Sequence, residues 1–219
     1  GYAFATARPT PVVVEDNKAK IVYTIDPGRR AYVRHVNISG NSKTQDEVIR
    51  REVRQYEASW YDSERVKLSR DRIDRLGFFE TVTVDPKPVP GTRDQVDLEV
   101  VVKERPTGSV SLGAGFSTSD GVILSGSFSQ NNIFGTGKAF SAEVSNSDST
   151  RTYAVSLTEP YVTPEGISRS IDLYDRKVDM EELEIAHDLI YETRGAAMSW
   201  GIPFTEYDRV FLGAKWENT

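Results

Sequence analysis

Two hydrophobic periods divide this chain. Up to about Glu104, short alternating runs are mixed with stretches whose apolar positions recur every three or four residues; beyond Gly108 the period is two almost throughout. Residues 4–7, 12–14 and 21–25 read as two short strands around the polar turn Glu15-Asp16-Asn17-Lys18. A lone hairpin cannot bury a core, so residues 1–28 are expected to be the C-terminal hairpin of a preceding domain. After the turn Asp26-Pro27-Gly28, residues 32–39 form a strand in which Val33, His35 and Asn37 alternate with Arg34, Val36 and Ile38.

Thr44-Gln45-Asp46-Glu47 has the form of a capping box, which predicts a helix with Val48, Ile49, Val53 and Tyr56 on its apolar face and Arg50, Arg51 and Arg54 mostly on the solvated side. Asp62 or Ser63 caps a second helix that runs to about Leu76, with Val66, Ile73 and Leu76 inward and Gly77 as the left-handed stop. Strands follow at residues 79–85 and 95–104, separated by a proline-rich loop. Strand, helix, helix, strand, strand over residues 29–105 describes a small α+β layer.

Residues 106–108 then form a hinge, and the pattern changes. In residues 109–117, Val110, Leu112, Ala114 and Phe116 oppose Ser109, Ser111, Gly113, Gly115 and Ser117. The same division recurs at Val122, Leu124 and Phe128, at Phe140, Ala142 and Val144, and at Tyr153, Val155 and Leu157. It returns at Ala196, Met198, Trp200 and Ile202, and at Val210, Leu212, Ala214 and Trp216. Residues 168–178 are the weakest case, since Ile171 and Leu173 share a face with Arg169 and Asp175. About seven strands result over residues 109–219. Alternation fits a soluble β-sandwich as well as a membrane barrel. Phe116, Phe134, Tyr161, Trp200, Tyr207 and Trp216 near the strand ends suit a bilayer interface.

Composition narrows the classes. A mean hydropathy of −0.46 averages over both halves. No run is long and apolar enough for a transmembrane helix, although transmembrane strands leave little trace in mean hydropathy. The absence of cysteine excludes a disulfide framework, a thiol nucleophile and thiolate-bound zinc. A net charge of −6 argues against nucleic acid as a partner. Gly1-Tyr2-Ala3-Phe4 lacks the form of a signal peptide, so an exported protein would be met here in mature form.

Nothing in the sequence calls for an enzyme or a cofactor. His35 and His187 lack partners at metal-ligand spacing. Gly113-Ala114-Gly115 and Gly135-Thr136-Gly137 lack the spacing of a phosphate loop and fit close packing or a tight turn. Glu181, Glu182 and Glu184 fit a solvated loop. The available chemistry is unpaired backbone at strand edges.

The stretch RAYVRHVNISGNSKTQDEVIRREV, followed by SRDRIDRLGFFETVTVD, resembles a POTRA domain. SQNNIFGTGKAFSAEVSNSDSTRTYAVSLTEPYVTPEGISRS resembles the early barrel region of BamA-type outer-membrane assembly factors. The resemblance implies an α+β POTRA domain (β-α-α-β-β) in the periplasm, followed by the first strands of an antiparallel transmembrane β-barrel in a Gram-negative outer membrane. It implies noncatalytic insertion of barrel proteins, with accessory outer-membrane lipoproteins, unfolded outer-membrane clients and the lipid bilayer as partners. On that reading Arg50 and Glu57 are candidates for lipoprotein contact. Phe79, Thr81, Thr83 and Asp85 are candidates for client strand augmentation, and Ser109, Ser111, Gly113, Gly115 and Ser117 form the seam strand. A two-partner secretion transporter and a soluble β-rich binding module are the alternatives. Complete relatives carry more POTRA domains and more strands than this chain holds.

Overall fold

A computed structural model describes residues 2–14, 18–118, 120–179 and 190–219. Glu15, Asp16 and Asn17 of the first predicted turn, and Glu181, Glu182, Glu184 and His187, lie outside the described residues. The chain divides into two compact units, residues 1–105 and 106–219.

The first unit opens with an antiparallel hairpin, β1 (Thr6–Val14) and β2 (Lys18–Asp26). Then come β3 (Tyr32–Ser39), α1 (Asp46–Arg50), the two-residue β4 (Ser59–Trp60), α2 (Ser63–Arg75), β5 (Phe79–Pro88) and β6 (Gln95–Glu104). They form a sheet in the order β4-β3-β6-β5, with β3 parallel to β6 and β5 antiparallel to it. Strand β6 is central and buries Val96, Leu98, Val100 and Val102 on one face, against Val48 and Ile49 of α1 and Val66 and Ile73 of α2.

Three local expectations change. Strand β3 does not alternate strictly: Val33 and Val36 are both buried, because the register with β6 shifts between them. That bulge adds one residue, which returns both valines to the core face. Arg34, turned to solvent, makes a two-pronged ion pair with Asp97 (3.0 and 2.6 Å). Secondly, α1 is short and begins after Gln45 with no side-chain cap. The Thr44 side chain is occupied elsewhere, since it bonds the Glu104 carboxylate. Burial favours protonation of Glu104, yet bonds from Ser42, Thr44 and the Lys43 N–H prevail and lower its pKa to about 2. Thirdly, Val53 is in the core but Tyr56 is exposed, because the chain has already left the helix at Arg51. The arginine cluster also divides: Arg50 is exposed, whereas Arg51 and Arg54 are half-buried, with Arg54 Nη1 donating to the Arg51 carbonyl (2.9 Å).

The second helix follows its sequence. The Asp62 carboxylate accepts from Glu64 N (2.9 Å) and Arg65 N (3.5 Å), and Gly77 ends the helix at φ +72°. The non-helical stretch between α1 and β4 is held by buried Gln55. Its Nε2 donates to Ser59 Oγ (2.8 Å) and the Trp60 carbonyl (3.0 Å), and its Oε1 accepts from Asp62 N (2.8 Å).

The second unit is a single antiparallel sheet of seven strands in consecutive order. They are β7 (Gly108–Ser117), β8 (Gly121–Gln130), β9 (Ala139–Asn146), β10 (Thr150–Glu159), β11 (Ser168–Asp179), β12 (Ile190–Pro203) and β13 (Arg209–Asn218). A sandwich would require a second sheet, and the described residues of this unit contain none. The turn between β8 and β9 needs the glycines that the sequence places there. Gly135 and Gly137 both have positive φ (73° and 76°), and Asn132 Oδ1 accepts from Gly137 N (2.8 Å).

Candidate functional site

Register carries the alternation of single strands into a continuous surface. Val110 lies opposite Phe128, Phe128 opposite Ala142, Ala142 opposite Val155 and Val155 opposite Leu173. Leu173 then meets Ala196, and Ala196 meets Trp216. Exposure on this face runs from half-buried at Ala142 and Ala196 to 86% at Leu112 and 77% at Phe116. An apolar face of this extent needs a nonpolar medium or a second layer. The opposite face is small and polar: Ser111, Ser127, Glu143, Ala154, Tyr174, Gly195 and Glu217 form one transverse row. Here Tyr174 reaches across Gly195 to donate to Glu217 (3.0 Å), and a Cβ at Gly195 would lie 2.4 Å from the tyrosine hydroxyl.

The doubtful strand, β11, belongs fully to this sheet. Its charges sit at the two ends of the apolar stretch: Arg169 pairs with Glu159 (2.6 Å) and Asp175 with Arg194 (3.1 Å). Between Glu159 and Arg151 on β10 lie Leu157, Val155 and Tyr153 on the apolar face. That interval is about 26 Å along the strand, or on the order of 20 Å along a bilayer normal at the usual tilt.

Two of the candidate segments are edge strands. Among the described residues, β5 pairs only with β6 and β7 only with β8. Each edge exposes half of its backbone groups, and the register says which half. Val89 N donates to the Gln95 carbonyl (3.2 Å), so alternate residues Asp85, Thr83 and Thr81 exchange bonds with β6. Val82 and Val84 turn their N–H and C=O outward. Pro86 and Pro88 fall in the same outward set, where a missing N–H costs the sheet nothing and blunts the edge. Phe79 is buried in the core, beyond a register shift before Thr81.

On β7, Asn131 N donates to the Thr107 carbonyl (3.0 Å). Ser109, Ser111, Gly113, Gly115 and Ser117 therefore exchange bonds with β8, while Val110, Leu112, Ala114 and Phe116 hold the edge-facing groups. Ser125 Oγ lies 2.6 Å from where a Gly113 Cβ would stand, whereas nothing lies within 4 Å of that point at Gly115.

Arg50 and Glu57 are brought together on the remaining edge of β3. Glu57 Oε1 accepts from Val36 N (2.7 Å), Arg50 Nη1 donates to the Val36 carbonyl (3.3 Å), and the two side chains are 3.9 Å apart. They close the β3 edge beyond β4 and remain about half exposed. Sequence spacing gave no sign of this arrangement, because it depends on how the chain leaves α1. His35 is exposed on β3, and no group of residues able to hold a metal exists among the described residues.

This combination defines a class: a POTRA domain followed by the strands of an outer-membrane barrel of the Omp85 type. Residues 31–105 match the POTRA family, described as a surface antigen variable number repeat, and residues 132–219 match the Omp85 superfamily domain. An outer membrane protein assembly factor BamA from Neisseria meningitidis is 39% identical over 215 residues, covering 97% of this chain and 27% of that protein. The crystal structure of BamA from Haemophilus ducreyi lacking POTRA domains 1–3 superposes with a TM-score of 0.78 at 32% identity. That match covers 99% of this chain and 41% of the solved one. CdiB from Acinetobacter baumannii shares the fold alone, at 15% identity and a TM-score of 0.56 over 99% of this chain and 42% of that one. The chain belongs to the BamA family and spans about a quarter of the length of the N. meningitidis relative.

Proposed function

We propose that this chain is the periplasm-to-membrane segment of a noncatalytic factor that inserts β-barrel proteins into the Gram-negative outer membrane. The POTRA domain lies in the periplasm and the apolar face of the seven-stranded sheet meets lipid. The observation that carries the reading is the β7 edge, where the N–H and C=O groups of Val110, Leu112, Ala114 and Phe116 face away from β8. A client strand that pairs there exchanges hydrogen bonds instead of carrying bare backbone into hydrocarbon. No nucleotide hydrolysis is needed.

In the full-length protein, Ser111→Cys is expected to form a disulfide with a cysteine in the terminal strand of a client arrested during assembly. Equal crosslinking from cysteines on every barrel strand would defeat the proposal.

The POTRA domain contributes two contacts on this reading. Strand β5 offers Val82 and Val84 for transient pairing with an unfolded client, with Thr81, Thr83 and Asp85 supplying the ladder beneath and Phe79 anchoring its start in the core. Arg50 and Glu57 form a charged patch for an accessory lipoprotein. Their exposure supports that role, and their bonds to Val36 give them a fixed geometry. Glu57→Lys should reduce lipoprotein co-purification severalfold, and retention at the wild-type level would remove this contact from the proposal.

A further inference from the structure

One charged row interrupts the apolar face of the barrel sheet at the end from which β7 starts. Lys138, just before β9, and Arg169 of β11 both pair with the carboxylate of Glu159 at the end of β10, Arg169 at 2.6 Å. Glu159 lies opposite Arg169 in register, and Arg169 lies opposite Trp200. Phe140, Leu157 and Ile171 occupy the next position inward on the same face. The carboxylate is largely covered, at 16% exposure, whereas Lys138 and Arg169 are exposed at 42% and 37%. Glu159 thus holds two cations in place through part of their N–H donors while both stay open to solvent, and the row carries a net charge of +1.

From this geometry we infer that Lys138 and Arg169 bind the phosphodiester of a glycerophospholipid in the periplasmic leaflet. The chemistry is one anion meeting two positioned cations, with Trp200 placed where an amphipathic ring meets the interface and the apolar rows ready to receive acyl chains. Charge complementarity selects the occupant. An unpaired carboxylate would repel a phosphate, but here it is neutralised from both sides and serves to orient the donors. The inference rests on the lipid-facing assignment of this surface.

The test uses the full-length protein in an uncharged detergent, titrated with phosphatidylglycerol and, separately, with diacylglycerol of the same chain length. Bound lipid is counted by native mass spectrometry. Phosphatidylglycerol should be retained and diacylglycerol lost. The Lys138→Gln/Arg169→Gln variant should bind phosphatidylglycerol about 10- to 30-fold more weakly, at roughly 1 kcal/mol for each cation. Lys177→Gln, at the far end of β11, should bind like the wild type. Equal retention by the double variant overturns the site. So does a double variant that melts earlier without lipid yet gains the full lipid-dependent shift, since the ion pairs would then only join strands. Quenching of tryptophan fluorescence by brominated acyl chains, with Trp216→Phe as background and loss on Trp200→Phe as control, checks the membrane assignment separately. Quenching without headgroup selectivity fails the site alone, and no quenching fails both.

Discussion

Replacing Glu52 with alanine is expected to destabilise the POTRA domain by about 3–5 kcal/mol, the cost of leaving a buried charge without its counterion. Glu52 and Arg72 are 2.8 Å apart, with side-chain exposures of 5% and 12%. They join the segment after α1 to α2, and a bond from Arg72 Nε (3.0 Å) adds geometry to charge. Both side chains are largely shielded from water, so removal of Glu52 takes this carboxylate from the Arg72 guanidinium in a poor dielectric. The double change Glu52→Leu/Arg72→Leu should recover most of the loss, because paired apolar side chains of similar volume need no desolvation. Urea unfolding followed by near-ultraviolet dichroism measures both. A loss below about 1 kcal/mol for Glu52→Ala would mean that water reaches the pair.

Leu112→Pro is expected to lower client assembly by tenfold or more while leaving the β7–β8 ladder intact. The Leu112 N–H faces away from β8, so a proline there removes a donor from the free edge and places its ring in the path of an incoming strand. Ser111→Pro attacks the other half of the same strand. It deletes a bond to Ser127 and should destabilise the sheet itself by about 1–3 kcal/mol. Assembly of a model barrel in proteoliposomes, compared with the melting temperature of each variant, separates the two effects. Wild-type assembly by a correctly folded Leu112→Pro protein would exclude β7 as the template.

The contrast between Leu112 and Ser111 shows where sequence reading stops. Parity placed both residues on the correct faces and identified the strand, but the direction of backbone bonds is independent of side-chain direction until a partner strand is fixed. The bond from Asn131 N to the Thr107 carbonyl supplies that reference. Similarly, Arg50 and Glu57 were legible as charges on a helical segment. Their closure of the β3 edge around Val36 was not, since Glu57 lies beyond the end of α1.

The sequence by itself determined the order of the main elements, though not the two-residue β4 between the helices, together with the boundaries of α2 through Asp62 and Gly77 and the seven alternating strands, because capping, left-handed glycine and period two act over a few neighbouring residues. Only the tertiary structure decided between sandwich and single sheet, turned Thr44 from a helix cap into a partner of Glu104, and brought Val33 and Val36 to one face through a bulge. It also assembled Lys138, Glu159 and Arg169 from three chain segments. These outcomes depend on partners distant in sequence, and a local pattern carries no information about which distant group will arrive first to satisfy a charge or a hydrogen bond.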